Sequence, residues 1–198
     1  MSGSSANIHP LWVRVCHWIN VIAMAAMIFS GWRIYNASPL FPFTFPASFT
    51  LGGWLGGALQ WHFAMMWLWG INGLVYCMLG LISGRFARQF FPLTVKGLLR
   101  DAGQALRGKL QHADLRQYNM VQKLAYLLAM VTGAGLVLSG LVIWKSVQFP
   151  LLREILGGYD AARYIHFFCM SAIVLFILLH LLMVLLVPKT LLAMLRGR

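Results

Sequence analysis

Long apolar runs separated by short polar breaks dominate the chain. No charged residue occurs in 15–32, 61–82, 124–144 or 164–187. Each run is long enough to cross the ~30 Å hydrocarbon layer of a bilayer at ~1.5 Å per residue, given some tilt. In lipid such runs can only be helices, because every backbone group has to be satisfied within the segment. The pattern predicts an all-α integral membrane fold: one four-transmembrane-helix bundle forming a single domain over 1–198. Beyond Arg33 the first connection is also uncharged, since residues 34–84 carry no charged side chain. It contains FPFTFP at 41–46 and LGGWLGG at 51–57, where proline and glycine stop any long helix. An apolar aromatic loop of this kind fits either interfacial anchoring or the underside of a partner protein.

Composition agrees with the membrane reading. The chain of 198 residues is 60% hydrophobic and 10% charged, against about 25% charged in soluble domains. A net charge of +12 raises the question of nucleic acid, but most of this charge sits between the apolar runs, so no nucleic-acid partner is expected. The second connection holds Arg85, Arg88, Lys96, Arg100, Arg107, Lys109 and Arg116, and the tail holds Lys189, Arg196 and Arg198. The first has only Arg33, and the third has Lys145, Arg153 and Arg163 offset by Glu154 and Asp160. Basic loops stay on the cytoplasmic side, so both termini are expected in the cytoplasm. The basic loop reads as a topology signal before a lipid-binding or regulatory one. The first ten residues carry no basic side chain and do not look like a cleaved signal peptide; the first helix is expected to stay as an anchor. Cys16, Cys77 and Cys169 form no CxxC or CxxCH, so a disulfide framework, a zinc ribbon and a covalent c-type haem lack support.

The histidines change the picture most. Of six, His17, His62, His166 and His180 lie in or at the edge of the apolar runs. An ionisable side chain in a membrane helix is costly and points to function, although one such histidine alone could equally be a hydrogen-bonded structural group. The four together carry more. His166 and His180 are 14 residues apart, close to four turns at ~100° per residue and a rise of ~21 Å, so they share a face at opposite leaflets. At the cytoplasmic depth His17 can meet His180, and at the outer depth His62 can meet His166. Facing imidazoles in a helix bundle suit a bis-histidine haem, whereas zinc or copper wants three or four ligands at one depth. Gly31, Gly70, Gly73, Gly80, Gly133, Gly135 and Gly140 offer close approach to a porphyrin or to a neighbouring helix. Trp18, Trp61, Trp67 and Trp69 are expected to crowd the ligands, or to be the interfacial aromatics that membrane proteins carry without any cofactor. Met24, Met27, Met65 and Met66 read as core filler.

The elements RVCHWIN around His17, QWHF around His62, HFFCMSAIVLFILLH from His166 to His180, and YNMVQKLAY at 118–126 resemble the bacterial four-helix di-haem cytochromes b. This family includes the b-type cytochrome subunits of nickel–iron hydrogenases, the gamma subunit of formate dehydrogenase, the prokaryotic cytochromes b-561 and the subunits beside thiosulfate reductases. The opening HPLWVRVCHWINVIAM and GWRIYNASP look most like the thiosulfate-reductase-type branch. The resemblance implies two haems b, a cytoplasmic-side one on His17 and His180 and an outer one on His62 and His166. It implies a multi-pass protein of the bacterial inner membrane that exchanges electrons between quinone and a periplasmic-side oxidoreductase, possible molybdopterin-type partners included. It also implies a quinone near the cytoplasmic haem, where Asn119, Gln122 and Lys123 begin the third helix. Lys123 could bind a quinone carbonyl or a haem propionate, or simply snorkel. Arg14 and Arg33 could pair with propionates or serve topology. His9 and His112 are expected in solvent.

Three function classes follow. The leading one is an electron-transfer subunit, not an enzyme by itself. The alternative is a self-contained superoxide:quinone oxidoreductase, for which Arg33, Lys145, Arg153 and Arg163 would attract the anion. The third is a haemless transporter or anchor. No nucleophile–base pair, phosphate loop or carboxylate dyad supports hydrolysis or phosphoryl transfer.

Overall fold

The structure, a computed structural model, describes residues 8–106 and 118–197. Arg107, Lys109, His112, Arg116 and Arg198 lie outside the described residues. Among the described residues every regular element is a helix: α1 (Leu11–Ala37), a 3₁₀ turn (Ala47–Phe49), α2 (Leu55–Ile82), α3 (Arg85–Phe90), α4 (Val95–Leu106), α5 (Met120–Trp144), α6 (Pro150–Ile155), α7 (Tyr159–Leu186) and α8 (Lys189–Arg196). α1, α2, α5 and α7 are long and apolar enough to cross a membrane, so the protein is a multi-pass membrane protein. These helices outrun the charge-free stretches. α1 takes in Arg14 and Arg33, and α7 takes in Asp160 and Arg163. Helical hydrogen bonding need not stop where the hydrocarbon stops, and long charged side chains can reach the interface from the terminal turns.

The chain separates into two compact units, one of residues up to Arg85 with Leu191 onward, the other Phe86–Thr190. In the first, α1 and α2 form an antiparallel hairpin, because Ser30 meets His62 at one end while Cys16 and Asn20 meet Asn72 at the other. Small residues let the backbones close up: Ala23, Ser30 and Ala58 are wholly buried. Asn72 is buried too, and its amide donates to the Cys16 carbonyl at 2.8 Å and to Asn20 Oδ1 at 2.7 Å. A satisfied amide between helices adds roughly 0.6–2 kcal/mol in lipid.

The loop between α1 and α2 is held from within. Asn36 brackets Phe45, donating to its carbonyl and accepting from its N–H at 2.8 Å each. Trp32 stacks flat on Phe45 at 4.6 Å between centroids, and Leu51 N–H donates to the Phe29 carbonyl at 3.0 Å. Gly52 has a φ of +105°, and a Cβ there would run into the backbone of Gly57 and Ala58 at the start of α2. Gly53, at +71°, has open space around it. Gly52→Ala is therefore expected to cost more than the roughly 1–3 kcal/mol of a strained φ alone, and Gly53→Ala only about that strain. Thermal unfolding followed by circular dichroism in detergent checks the order; equal midpoints for the two variants would contradict it.

The end of α8 folds against the start of α1. Ile8 N–H donates to the Gly197 carbonyl at 2.8 Å, and the Arg14 guanidinium donates to the carbonyls of Met194 and Leu195.

In the second unit α5 and α7 are antiparallel as well. Ser139 meets His166, Gly135 lies against Cys169, and Tyr126 lies against Phe176. Asn119 and Gln122 form a capping box on α5, and Asp101 of α4 accepts from Met120 N–H at 2.9 Å. That hydrogen bond, with Arg100 beside it, holds the Asp101 carboxyl below the usual range.

Candidate functional site

The four membrane histidines take matching places along their helices. His62 and His166 are each the eighth residue, of α2 and α7 respectively. His17 lies six residues after the start of α1, and His180 six residues before the end of α7.

In the first unit Ser30 is fully buried, and its hydroxyl donates to the Ala26 carbonyl one turn back at 2.6 Å. The same oxygen stands 3.2 Å from His62 Nδ1. With the hydroxyl proton spent on a carbonyl, the oxygen can only accept, so Nδ1 carries the proton and Nε2 keeps its lone pair. The next residue, Gly31, keeps the ring's flank clear; a Cβ there would stand 3.5 Å from His62 Cε1. The second unit repeats the arrangement. Ser139, also fully buried, donates to the Gly135 carbonyl at 2.6 Å and stands 3.0 Å from His166 Nδ1. A Cβ at Gly140 would lie 3.3 Å from His166 Cε1.

A haem iron takes a neutral imidazole through a nitrogen lone pair, with the other ring N–H held by an acceptor. Both histidines meet that demand, so the residues present fit a non-covalent b-type haem.

At the opposite ends of the hairpins the surroundings are aromatic. The Trp18 ring stands edge-on to His17 at 5.3 Å. His180 stacks on Phe176 at 6.0 Å and 12°. Phe176 continues through Tyr126 and Tyr118 to Phe90, with centroids 5.1–6.3 Å apart. Three residues before Tyr126, about one helical turn, sits Lys123, only 9% exposed. Its Nζ reaches the carbonyls of Phe91 and Pro92, both at a long 3.5 Å. Lys123 is thus a buried ammonium rather than a snorkelling one.

Other candidate residues have tasks of their own. Asn119 Oδ1 accepts from Gln122 N–H at 2.8 Å and Gln122 Oε1 accepts from Asn119 N–H at 3.1 Å, so these two oxygens serve the helix cap. Arg14 serves the end of α8, and Arg33 is half-buried in α1. His9 is half-buried rather than solvated, with Arg85 donating to its Nδ1 at 3.4 Å. Burial, with Arg85, His17 and Arg14 nearby, pushes its pKa down to about 4. Trp61 and Trp67 are 46% and 59% exposed. Each thus keeps about half of its surface outside the packed helices. Of the seven helical glycines, Gly70 and Gly73 face open space, while Gly135 meets Cys169 Sγ.

Sequence reasoning missed Trp32. Its indole N–H is buried with no hydrogen-bond partner among the described residues. It also missed Ser30 and Ser139, for which the shared Ser-Gly pair was the available signal.

Comparison with known proteins places these residues in context. The family described as "Prokaryotic cytochrome b561" matches residues 8–197. A protein of Azospira oryzae (strain ATCC BAA-33 / DSM 13638 / PS), named "Putative protein-methionine-sulfoxide reductase subunit YedZ1", is 57% identical over 197 residues, covering 100% of both chains. No solved structure matches.

Proposed function

The chain belongs to the prokaryotic cytochrome b561 family, and from that premise we propose that it is the membrane subunit of a methionine-sulfoxide reductase, carrying electrons from quinol through two haems b to a periplasmic catalytic partner. Membership makes it a b-type membrane cytochrome of the bacterial inner membrane. The observation that carries the finer reading is the 57% identity, over the whole of both chains, to a relative named as a subunit of such a reductase.

Reducing a sulfoxide to a thioether takes two electrons and two protons and releases water, so electrons must flow toward the partner. Haem, when bound, supplies one-electron carriage through an apolar protein. In this reading His62 and His166 hold one haem and His17 and His180 the other. Matching positions along the helices support that pairing. The basic connection and tail support cytoplasmic termini, which puts the loop of Phe41, Phe43 and Phe45 outside as the partner's seat and His17, His180 and Lys123 inside. There Lys123, buried one helical turn before Tyr126 and within reach of the Phe91 and Pro92 carbonyls, offers a donor suited to a quinone carbonyl.

The test is co-purification in mild detergent followed by reconstitution in liposomes with a quinol. Methionine sulfoxide should be reduced only when chain and partner are both present. Superoxide oxidation by the chain and quinone alone, with no partner recovered, would favour the stand-alone enzyme instead.

A further inference from the structure

A groove runs along one side of the first unit. Leu11, Val15, Trp18 and Ile22 follow one another on α1 at steps of three and four residues, which sets them on one face of the helix. With Arg14 and with Leu195 of α8 they border a groove of about 300 Å³. It opens outward, since Leu11 and Ile22 at its two ends are 66% and 65% exposed. α1 is long and apolar enough to cross a membrane, so what lies against this face is lipid rather than water. Leu11 to Ile22 is ~16 Å of helix at ~1.5 Å per residue, about half of the ~30 Å hydrocarbon layer. The groove is thus as long as the acyl chain of one leaflet.

The end of the groove at the helix start is cationic. Arg14 lies in the first turn of α1, and its Nε and Nη2 donate to the carbonyls of Met194 and Leu195, which the end of α8 leaves without helical partners. Two of the five N–H groups of the guanidinium are used in this way, and among the described residues three are left for another acceptor. Arg85 comes to the same end, donating at 3.4 Å to Nδ1 of His9, which lies two residues ahead of α1. The unit that holds all of these groups runs to Arg85 and resumes at Leu191, and its sequence contains no Asp or Glu. Within it no carboxylate side chain can answer these cations.

We propose that this groove binds one anionic phospholipid, with its phosphate on Arg14 and an acyl chain laid along Val15, Trp18 and Ile22. The charge selects the occupant. A quinone has a tail that suits the apolar wall, but its head is neutral. A zwitterionic phospholipid brings a phosphate together with a cation that Arg14 and Arg85 repel. An anionic one supplies the missing charge and the chain at once. The bound lipid packs on Trp18, whose ring stands edge-on to His17 at 5.3 Å.

The full-length chain, stripped of lipid in detergent, is titrated with equal amounts of phosphatidylglycerol and phosphatidylcholine of the same acyl chains, and native mass spectrometry reads what it retains. The first lipid bound should be phosphatidylglycerol, favoured about tenfold. Arg14→Gln should abolish that preference. Val15→Trp, which fills the groove and leaves the arginine in place, should abolish the first site for both lipids. Arg33→Gln makes the same change of charge at the other end of α1 and should leave the preference intact. Equal retention of the two lipids by the unsubstituted protein would overturn the proposal. So would an equal loss of preference in Arg33→Gln and Arg14→Gln, which would make the effect one of net charge. Loss of haem with the lipid retained in Arg14→Gln would assign the arginine to a propionate and overturn it too, as would a quinone held in place of lipid and displaced by Val15→Trp. Should Arg14→Gln not fold, Val15→Trp decides: loss of the first site supports the groove, and an undiminished preference rejects it.

Discussion

With the proposed pairing, replacing His62 with alanine should lower the haem content from two per chain to one, and His166→Ala should remove that same haem. Bis-histidine ligation has no reserve: an imidazole lost from a site inside an apolar helix pair leaves the iron five-coordinate and the flat macrocycle held on one side only. Quinol-driven electron delivery to the partner should fall to background, as the chain of carriers is broken. A pyridine haemochrome assay counts the haems, and a redox titration says which one remains. His17→Ala and His180→Ala should both remove the other. If His62→Ala and His166→Ala removed different haems, the proposed pairing would be wrong.

Lys123→Ala should slow reduction of the haems by a quinol analogue about tenfold or more while both haems stay bound. Lys123 brings an amine with three donors when charged into a site where, among the described residues, two long carbonyl contacts meet it. Both contacts are long, so donor capacity is left for a ligand, and a hydrogen bond from a charged donor contributes about 1.5–3 kcal/mol, one to two powers of ten in rate if it acts in the transition state. Stopped-flow reduction gives the rate, and the spectra report the haem content. Loss of the haem held by His17 and His180 would give the lysine a propionate instead. Unchanged kinetics with intact spectra would move the quinone to the other end.

Much of this was legible in the residues. The four long helices followed from charge-free length, because lipid removes every alternative for the backbone. What sequence could not give was direction around each helix. Trp61 and Trp67 are one and five residues from His62, and proximity along the chain suggested proximity in space. A helix turns ~100° per residue, and that rotation carries both rings to the exposed side. Asn119 and Gln122 were visible as polar groups at a helix start. Their three-residue spacing is the signature of a capping box, a local use that competes with any ligand. Ser30 and Ser139 stayed hidden for the opposite reason, since a serine in a membrane helix is usually content with its own backbone. α4 and α8 lay unseen within the basic connection and tail, where charge counting for topology masked their helical period.

α2 and α7 each have 28 residues, about 42 Å of helix at ~1.5 Å per residue, against a hydrocarbon slab of ~30 Å. Roughly two turns in all, about one at each end of the slab, are thus left as overhang or absorbed by tilt. Their eighth residues, His62 and His166, begin only ~10 Å from the helix tips, which leaves their imidazoles a few ångströms below the slab's edge rather than at its middle. On the proposed wiring, with these two histidines holding the haem that serves the partner, the gap an electron must jump is then governed by lipid thickness. Longer acyl chains would draw the overhang inward, at fractions of a kcal/mol per ångström of mismatch, and sink the histidine pair away from its acceptor. Shorter chains would lift it toward the surface, so that the lipid composition of the membrane acts as a throttle on electron delivery.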